Sequence, residues 1–115
     1  MEYLLLLHAN ETGLLSAPEK VRNETLALYG AYGEALRKAG VVLSSNRLQP
    51  TSATTTVSVK DGKTEVLNGP YAETREQLGG YYLINVPDLD AALSWAARCP
   101  GASHGSVEVR PIWAM

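Results

Sequence analysis

A chain of 115 residues has room for one domain with one hydrophobic core. Hydrophobic residues make up 45% and charged residues 19%, a balance that is typical of packed globular proteins and excludes an intrinsically disordered one. The 10 basic and 12 acidic residues give a net charge of −2 without any basic cluster, which argues against direct nucleic-acid binding.

Further features narrow the class of protein. The longest apolar run, Leu4 to Leu7, is too short to cross a bilayer, and the N-terminal residues lack the pattern of a secretion signal. The single cysteine, Cys99, has no partner for an internal disulfide. Two distant histidines provide no pair of ligands at helical or strand spacing, so we predict no metal site. We expect a cytoplasmic protein that does not associate with membranes.

Apolar periodicity predicts six strands. They are residues 2–8, 41–48, 54–59, 64–67, 79–86 and 106–110. Asp61-Gly62 is a strong turn signal and makes the third and fourth strands a hairpin. Asn68-Gly69-Pro70 then ends that hairpin, because proline cannot donate to a strand ladder. The connections at residues 10–15 and 101–105 are predicted to be loops.

Two helices are predicted between these strands. Ser16 and Glu19 have the spacing of a capping box, and apolar residues then recur at helical intervals up to a glycine stop at Gly40. Asp88 is the expected N-cap of the second helix, which ends before the Cys99-Pro100 step. Each helix therefore follows one strand and precedes another.

This order of elements predicts an α+β, ferredoxin-like βαβ repeat with an inserted hairpin. Both helices would cover one face of an antiparallel sheet. The other face would expose Leu4, Leu6 and Leu83, an apolar surface too large to remain in water. A second copy of the same sheet is the simplest cover, so the sequence predicts a symmetric homodimer.

Residues 68–82, which begin Asn68-Gly69-Pro70-Tyr71, resemble the signature of DGPF-type proteins in the YCII-related domain family. The segments 86–92, 95–100 and 105–111 extend the likeness over essentially the whole chain, which implies a single YCII-related domain over residues 1–115. The resemblance implies that the ferredoxin-like fold pairs into a dimeric α/β barrel. It also suggests a sigma-factor-like regulator as partner, because genes of this type are often found beside or fused to such regulators.

The chain departs from the family pattern at functionally relevant positions. Asn68 and Tyr71 replace the Asp and Phe of the DGPF motif. The YCII branch carries a His and an Asp proposed as a catalytic pair, with the Asp in an Asp-Pro step after the second helix. Here that step is Cys99-Pro100, and the first helix contains no histidine, so the pair is absent. Related barrels bind haem or flavin, but nothing in this sequence requires either, and no cofactor is predicted.

His104 is the candidate catalytic residue, because an imidazole just before the last strand could move protons near neutral pH. His8, at the end of the first strand, could reach the mouth of the same cavity. Glu108 and Arg110 share one face of the last strand, where Arg110 could bind a carboxylate or a phosphate. The plain alternatives are an exposed loop histidine, a sheet-capping histidine and a surface ion pair.

Tyr71, Glu73 and Tyr81 complete the candidate ligand-binding set. Tyr71 and Glu73 follow the proline break, in the segment that most resembles the family signature. Tyr81 lies on a central strand and could line the cavity, although a buried tyrosine often does no more than find a hydrogen-bond partner.

Three functions remain open at this point. The first is a dimer that binds a small anionic molecule between its sheets and has a sensing or accessory regulatory role. The second is a small cavity enzyme that uses His104 as general acid/base and Arg110 to bind the substrate anion. The third is a ligand-free protein interaction domain. The absence of the His–Asp pair favours the first.

Overall fold

A four-stranded antiparallel sheet with two long helices on one face forms the body of the protein. The computed structural model describes residues 1–114. The strands are β1 (Glu2–Ala9), β2 (Val42–Arg47), β3 (Thr55–Lys60), β4 (Lys63–Asn68), β5 (Gln77–Asn85) and β6 (Ser106–Pro111). The helices are α1 (Glu11–Leu15), α2 (Glu19–Ala39), α3 (Leu89–Arg98) and α4 (Gly101–His104), with a 3₁₀ turn at Thr51–Ala53. None of these helices is long and apolar enough to span a membrane.

The order of the strands in the sheet is β2-β5-β1-β6, and every neighbouring pair is antiparallel. This is the ferredoxin-like arrangement, which confirms the predicted fold class. β1 and β5 occupy the centre, as their apolar character indicated. β3 and β4 pair only with each other, in a separate two-stranded sheet. Within residues 1–114 the larger sheet is open and closes no barrel, so the dimeric barrel remains a prediction.

Three of the predicted end and turn signals act where the sequence places them. The Asp88 side chain accepts a hydrogen bond of 2.9 Å from the Ala91 amide at the start of α3. Gly40 ends α2 in the left-handed region. Asp61 and Gly62 both have positive φ, 50° and 77°, which is the geometry of the tight turn that matches the twist of a hairpin.

The hydrophobic core lies between the sheet and helices α2 and α3. Leu5 of β1, Leu36 of α2 and Ile84 of β5 are completely buried at its centre. The other buried residues are Tyr3, Tyr32, Val86, Ala92, Ala96 and Cys99. Val107 and Val109 pack against this core, which places the alternate residues of β6 on the opposite face of the sheet, as the sequence predicted.

Three local predictions are wrong. Residues 11–15 form α1 rather than a loop, because the Asn10 side chain accepts from the Gly13 amide and caps a helical turn. Ser16 ends this helix, and its hydroxyl donates to the Gly13 carbonyl rather than capping α2, which has no side-chain cap. The connection after α3 is likewise not a plain loop, since Gly101–His104 form the single turn α4.

The β3–β4 hairpin, called the ribbon below, extends away from the body. The radius of gyration is 16.0 Å, whereas a compact domain of this length has about 13 Å. The molecule measures 47 × 44 × 19 Å, so it is broad and thin. Its ribbon leaves the sheet between the end of β2 and the start of β5, which is also the end where β1 finishes at Ala9.

Candidate functional site on the open face of the sheet

The face of the four-stranded sheet opposite α2 and α3, called the open face, carries two rows of side chains across the strands. Strand register places Asn46, Tyr81, Leu6 and Glu108 in one row. Ser44, Leu83, Leu4 and Arg110 form the next row. Both rows have polar groups at the two edges; the middle is Tyr81 and Leu6 in the first row and Leu83 and Leu4 in the second. The open face is therefore an apolar floor with two polar rims.

One rim is a chain of three ionisable groups. His8 Nε2 lies 3.1 Å from Glu108 Oε1, and Arg110 Nη1 lies 3.5 Å from Glu108 Oε2. The exposed fraction of the side chain rises from 28% at His8 to 47% at Glu108 and 70% at Arg110. A carboxylate next to an imidazole orients the ring, while the guanidinium keeps most of its donors free. This rim presents the cation of Arg110 toward the open face.

The opposite rim is built around the phenol of Tyr81. The Asn46 side-chain amide donates a hydrogen bond of 2.8 Å to the Tyr81 hydroxyl. Hydrogen bonding with Ser44 and with Asn46 holds the pKa of this phenol below its ordinary value. The Tyr81 hydroxyl thus keeps its own proton available for a ligand that accepts a hydrogen bond.

A glycine at the root of β6 allows the sheet to close up against His8. A Cβ atom on Gly105 would collide with the carbonyl oxygen of His8, so no larger residue fits here without displacing β1 or β6. The adjoining Ser106 hydroxyl donates 2.8 Å to Glu76 Oε1, which ties the segment before β5 to the same end of the sheet. Gly105 and Glu76 thereby support the position of the His8 rim.

The structure brings some predicted site residues together and keeps others apart. His8, Glu108 and Arg110 share one rim, and Tyr81 lies on the same face beyond Leu6. His104 ends α4 on the surface, and within residues 1–114 its imidazole makes no hydrogen bond or ion pair. Tyr71 is 90% exposed. Glu73 is exposed in the same segment before β5. The roles of all seven residues stay predictions.

Sequence reasoning did not select Asn46, Ser44 or Gly105. Asn46 and Ser44 alternate on a strand, and this spacing of two was the available signal for a shared polar face. Gly105 had no local signal, because its close contact is with a residue almost a hundred positions earlier.

Comparison with known proteins identifies the family. A model of the YCII-related domain matches residues 1–115. The chain belongs to the YCII-related domain family. This YCII-related domain is 45% identical over 96 residues to the uncharacterised protein R00369 of Rhizobium meliloti strain 1021, with 82% of this chain and 74% of that protein covered. The finer resemblance to DGPF-type members remains a prediction.

A solved structure has a similar fold. The match is 5-chloro-2-hydroxyhydroquinone dehydrochlorinase (TftG) from Burkholderia phenoliruptrix AC1100, in complex with 2,5-dihydroxybenzoquinone. The TM-score is 0.56 over 99% of this chain and 94% of that chain, at 15% sequence identity. At that identity the likeness supports the fold alone.

In this YCII-related domain, the Cys99-Pro100 step lies next to the half-buried Tyr29 rather than a histidine. A Cβ on Gly101 would lie 2.8 Å from the Tyr29 hydroxyl and 3.8 Å from the Cys99 sulfur, so the two groups converge there. Burial, and then the charge of Cys99, raises the pKa of Tyr29 to about 12. Burial also raises the pKa of the Cys99 thiol. Both groups are neutral at pH 7 and do not replace an acid–base pair.

Proposed function

We propose that this YCII-related domain is a homodimer that binds a small anionic molecule between two open faces and has a sensing or accessory regulatory role. The observation that carries the proposal is the open face itself. It combines a rim of His8, Glu108 and Arg110, whose guanidinium side chain is 70% exposed, with an uncovered leucine floor. Such a surface suits a ligand with an acidic group and an apolar body.

The exposed area of the chain supports a dimer. The surface accessible to solvent is 8203 Å². A compact monomer of 12.4 kDa exposes about 6,100 Å². The excess of about 2,000 Å² per chain falls in the range that each partner of an obligate dimer buries. Two copies related by a twofold axis would cover their leucine floors with the same surface on each side.

The anion is favoured over a cation by the balance of donors on the rim. Glu108 accepts from His8 on one side and from Arg110 on the other, so its charge is already matched. Arg110 contacts Glu108 through one nitrogen at 3.5 Å, which leaves the other guanidinium donors for a carboxylate or a phosphate. Enclosure between two sheets would strengthen this contact, because water no longer competes for the charge.

A sensing role is supported by what replaces the His–Asp pair. The neutral Tyr29 and Cys99 provide no acid or base at that position. Ligand binding between two subunits couples occupancy to dimer stability, since a molecule that binds only the dimer stabilises it. We propose that a sigma-factor-like regulator reads this change, as the family resemblance suggests.

Thermal unfolding with defined anions tests the site. The probes are inorganic phosphate and benzoate, with neutral benzamide as the uncharged control. We expect an anion to raise the unfolding midpoint of the wild type, and Arg110→Gln to weaken its binding about tenfold or more, because a charge-assisted hydrogen bond is lost. Arg22→Gln on α2, behind the sheet, is the matched control and should respond as the wild type does.

Two outcomes would overturn the anion site. One is that neither anion shifts the midpoint at millimolar concentration, which, in a protein that remains dimeric, favours the ligand-free interaction domain. The other is that Arg110→Gln responds as strongly as the wild type. A monomeric mass at micromolar concentration in light scattering would refute the proposed dimer itself.

A second candidate is an acid–base enzyme, favoured by the hydrogen bond between His8 and Glu108. In this function the His8 imidazole, rather than His104, takes a proton from carbon next to a carbonyl and returns one from solvent. Exchange of the methyl protons of pyruvate in D₂O, followed by NMR, tests it. If His8→Gln abolishes the exchange, His8 is the acid–base residue. If only His104→Gln abolishes it, the residue is His104. If the wild type shows no exchange above the buffer rate, this candidate is rejected.

A further inference from the structure

The ribbon has two unlike faces. In its register, Val57 lies opposite Val66 and Val59 lies opposite Thr64, which places three valines on one face. This surface is called the valine face. The reverse face carries Ser58, Lys60, Lys63 and Glu65, with Leu67, 56% exposed, near the root. Lys60 and Glu65 form an ion pair of 3.8 Å. Alternation of this kind is typical of a sheet with one covered and one solvated face.

The valine face is uncovered in a single chain. Val57 is 59% exposed, and Val59 and Val66 are each 64% exposed. None of the three belongs to the hydrophobic core or packs against it. A lone two-stranded hairpin is at best marginally stable in water. The sequence nevertheless specifies this one strongly, with β-branched strands and an Asp61-Gly62 turn, so the ribbon needs a surface to pack on.

The body of the same chain does not provide that surface. The ribbon strands pair only with each other, and the hydrogen bonds at the root join its two ends rather than fastening it to the body: the Gly69 amide donates 2.8 Å to the Thr54 carbonyl, and the Thr56 hydroxyl donates 2.7 Å to the Gly69 carbonyl. Beyond the root, its six-residue strands reach roughly 20 Å outward. The breadth of 47 × 44 Å against a thickness of 19 Å shows that the ribbon extends the body sideways and does not fold over it.

We propose that the valine face packs on a second copy of this chain, so that the ribbon is an arm that extends the dimer interface. The excess exposed area of about 2,000 Å² includes both the leucine floor and the ribbon, and one twofold contact can cover both. The ribbon also starts at the end of the sheet that carries His8 and Ser106. An arm from there reaches past its own subunit. This inference rests on the dimer of the proposed function but not on its ligand.

Two neighbouring substitutions on β3 separate the faces. Val57→Lys places a charge on the valine face, and Ser58→Lys places the same charge on the reverse face of the same strand. Sedimentation equilibrium gives the dissociation constant of the dimer. We expect Val57→Lys to raise it about 100-fold, because one buried valine is worth roughly tenfold and the change occurs twice in a symmetric dimer. Ser58→Lys should leave it within about threefold of wild type.

Hydrogen exchange provides the second measurement. The ribbon amides should exchange slowly in the concentrated wild type and lose protection on dilution below the dissociation constant, while the core strand β1 stays protected. Both variants should retain the wild-type circular dichroism, since the ribbon contributes no side chain to the core.

The possible results are distinct. A monomeric wild type overturns both the dimer and the arm. A dimer that Val57→Lys leaves intact, or that both substitutions weaken equally, overturns the arm and leaves the open-face dimer standing. Ribbon protection that is independent of concentration also overturns the arm.

Discussion

Removal of the Tyr32 hydroxyl tests how α3 is held against α2. This hydroxyl donates 2.7 Å to the carbonyl of Trp95. The last turn of α3 leaves that carbonyl free, because the Cys99 amide donates to Ala96 instead of to Trp95. Tyr32→Phe keeps the aromatic ring, which packs edge-on against Tyr82 at 5.2 Å. The substitution therefore removes one hydrogen bond without opening a large cavity.

The expected loss is about 1–3 kcal/mol, the cost of leaving a buried acceptor unpaired. For a domain of this size, that corresponds to a fall of about 4–12 °C in the unfolding midpoint. Urea and thermal unfolding followed by circular dichroism measure both quantities. Tyr81→Phe is the matched control, since its hydroxyl lies on the open face, and it should cost under about 0.5 kcal/mol. Equal losses in Tyr32→Phe and Tyr81→Phe would refute the reasoning.

Two further predictions concern pH and backbone space. Burial raises the pKa of Tyr29 to about 12, whereas a phenol in the unfolded chain ionises near pH 10. The unfolded chain therefore loses this proton at a lower pH than the folded protein does. As a result, the free energy of unfolding should fall as the pH rises from about 10 to 12. Urea series at several pH values should show a shallower fall in Tyr29→Phe, and an unchanged slope would contradict this. Gly30→Ala within α2, where an added Cβ meets nothing within 4 Å, should stabilise the protein by about 0.5–1 kcal/mol. In Gly105→Ala the added Cβ collides with His8, which should cost about 1–3 kcal/mol. In thermal unfolding, we expect Gly30→Ala to raise the unfolding midpoint and Gly105→Ala to lower it.

Part of the candidate site was predictable from local pattern. Glu108 and Arg110 are two apart on a strand, and their alternation with Val107 and Val109 indicated which face they share. Their contact with His8 was not predictable, because it depends on the antiparallel register of β1 and β6, which pairs residues about a hundred positions apart. The same register brings Gly105 against His8. Asn46 reaches Tyr81 only because β2 is paired with β5 at the matching position.

The sequence by itself determined the order and type of most elements. Periodicity, the turn at Asp61-Gly62 and the cap at Asp88 are local effects, and they act in the same way in any fold that contains them. Local signals were insufficient at residues 10–19, because two residues there, Asn10 and Ser16, can each act as a helix N-cap. There Asn10 starts α1, and Ser16 is used to end it rather than to start α2.

Only the tertiary structure decided that the hairpin stays apart from the body of the protein. The sequence predicted a hairpin, but packing left it as a separate ribbon with its valine face in solvent. It also predicted apolar residues on both faces of β1, and packing covered one face with α2 and α3 while leaving Leu4 and Leu6 partly exposed. The physical reason is that burial depends on contacts between distant segments, and their geometry is absent from any short stretch of sequence.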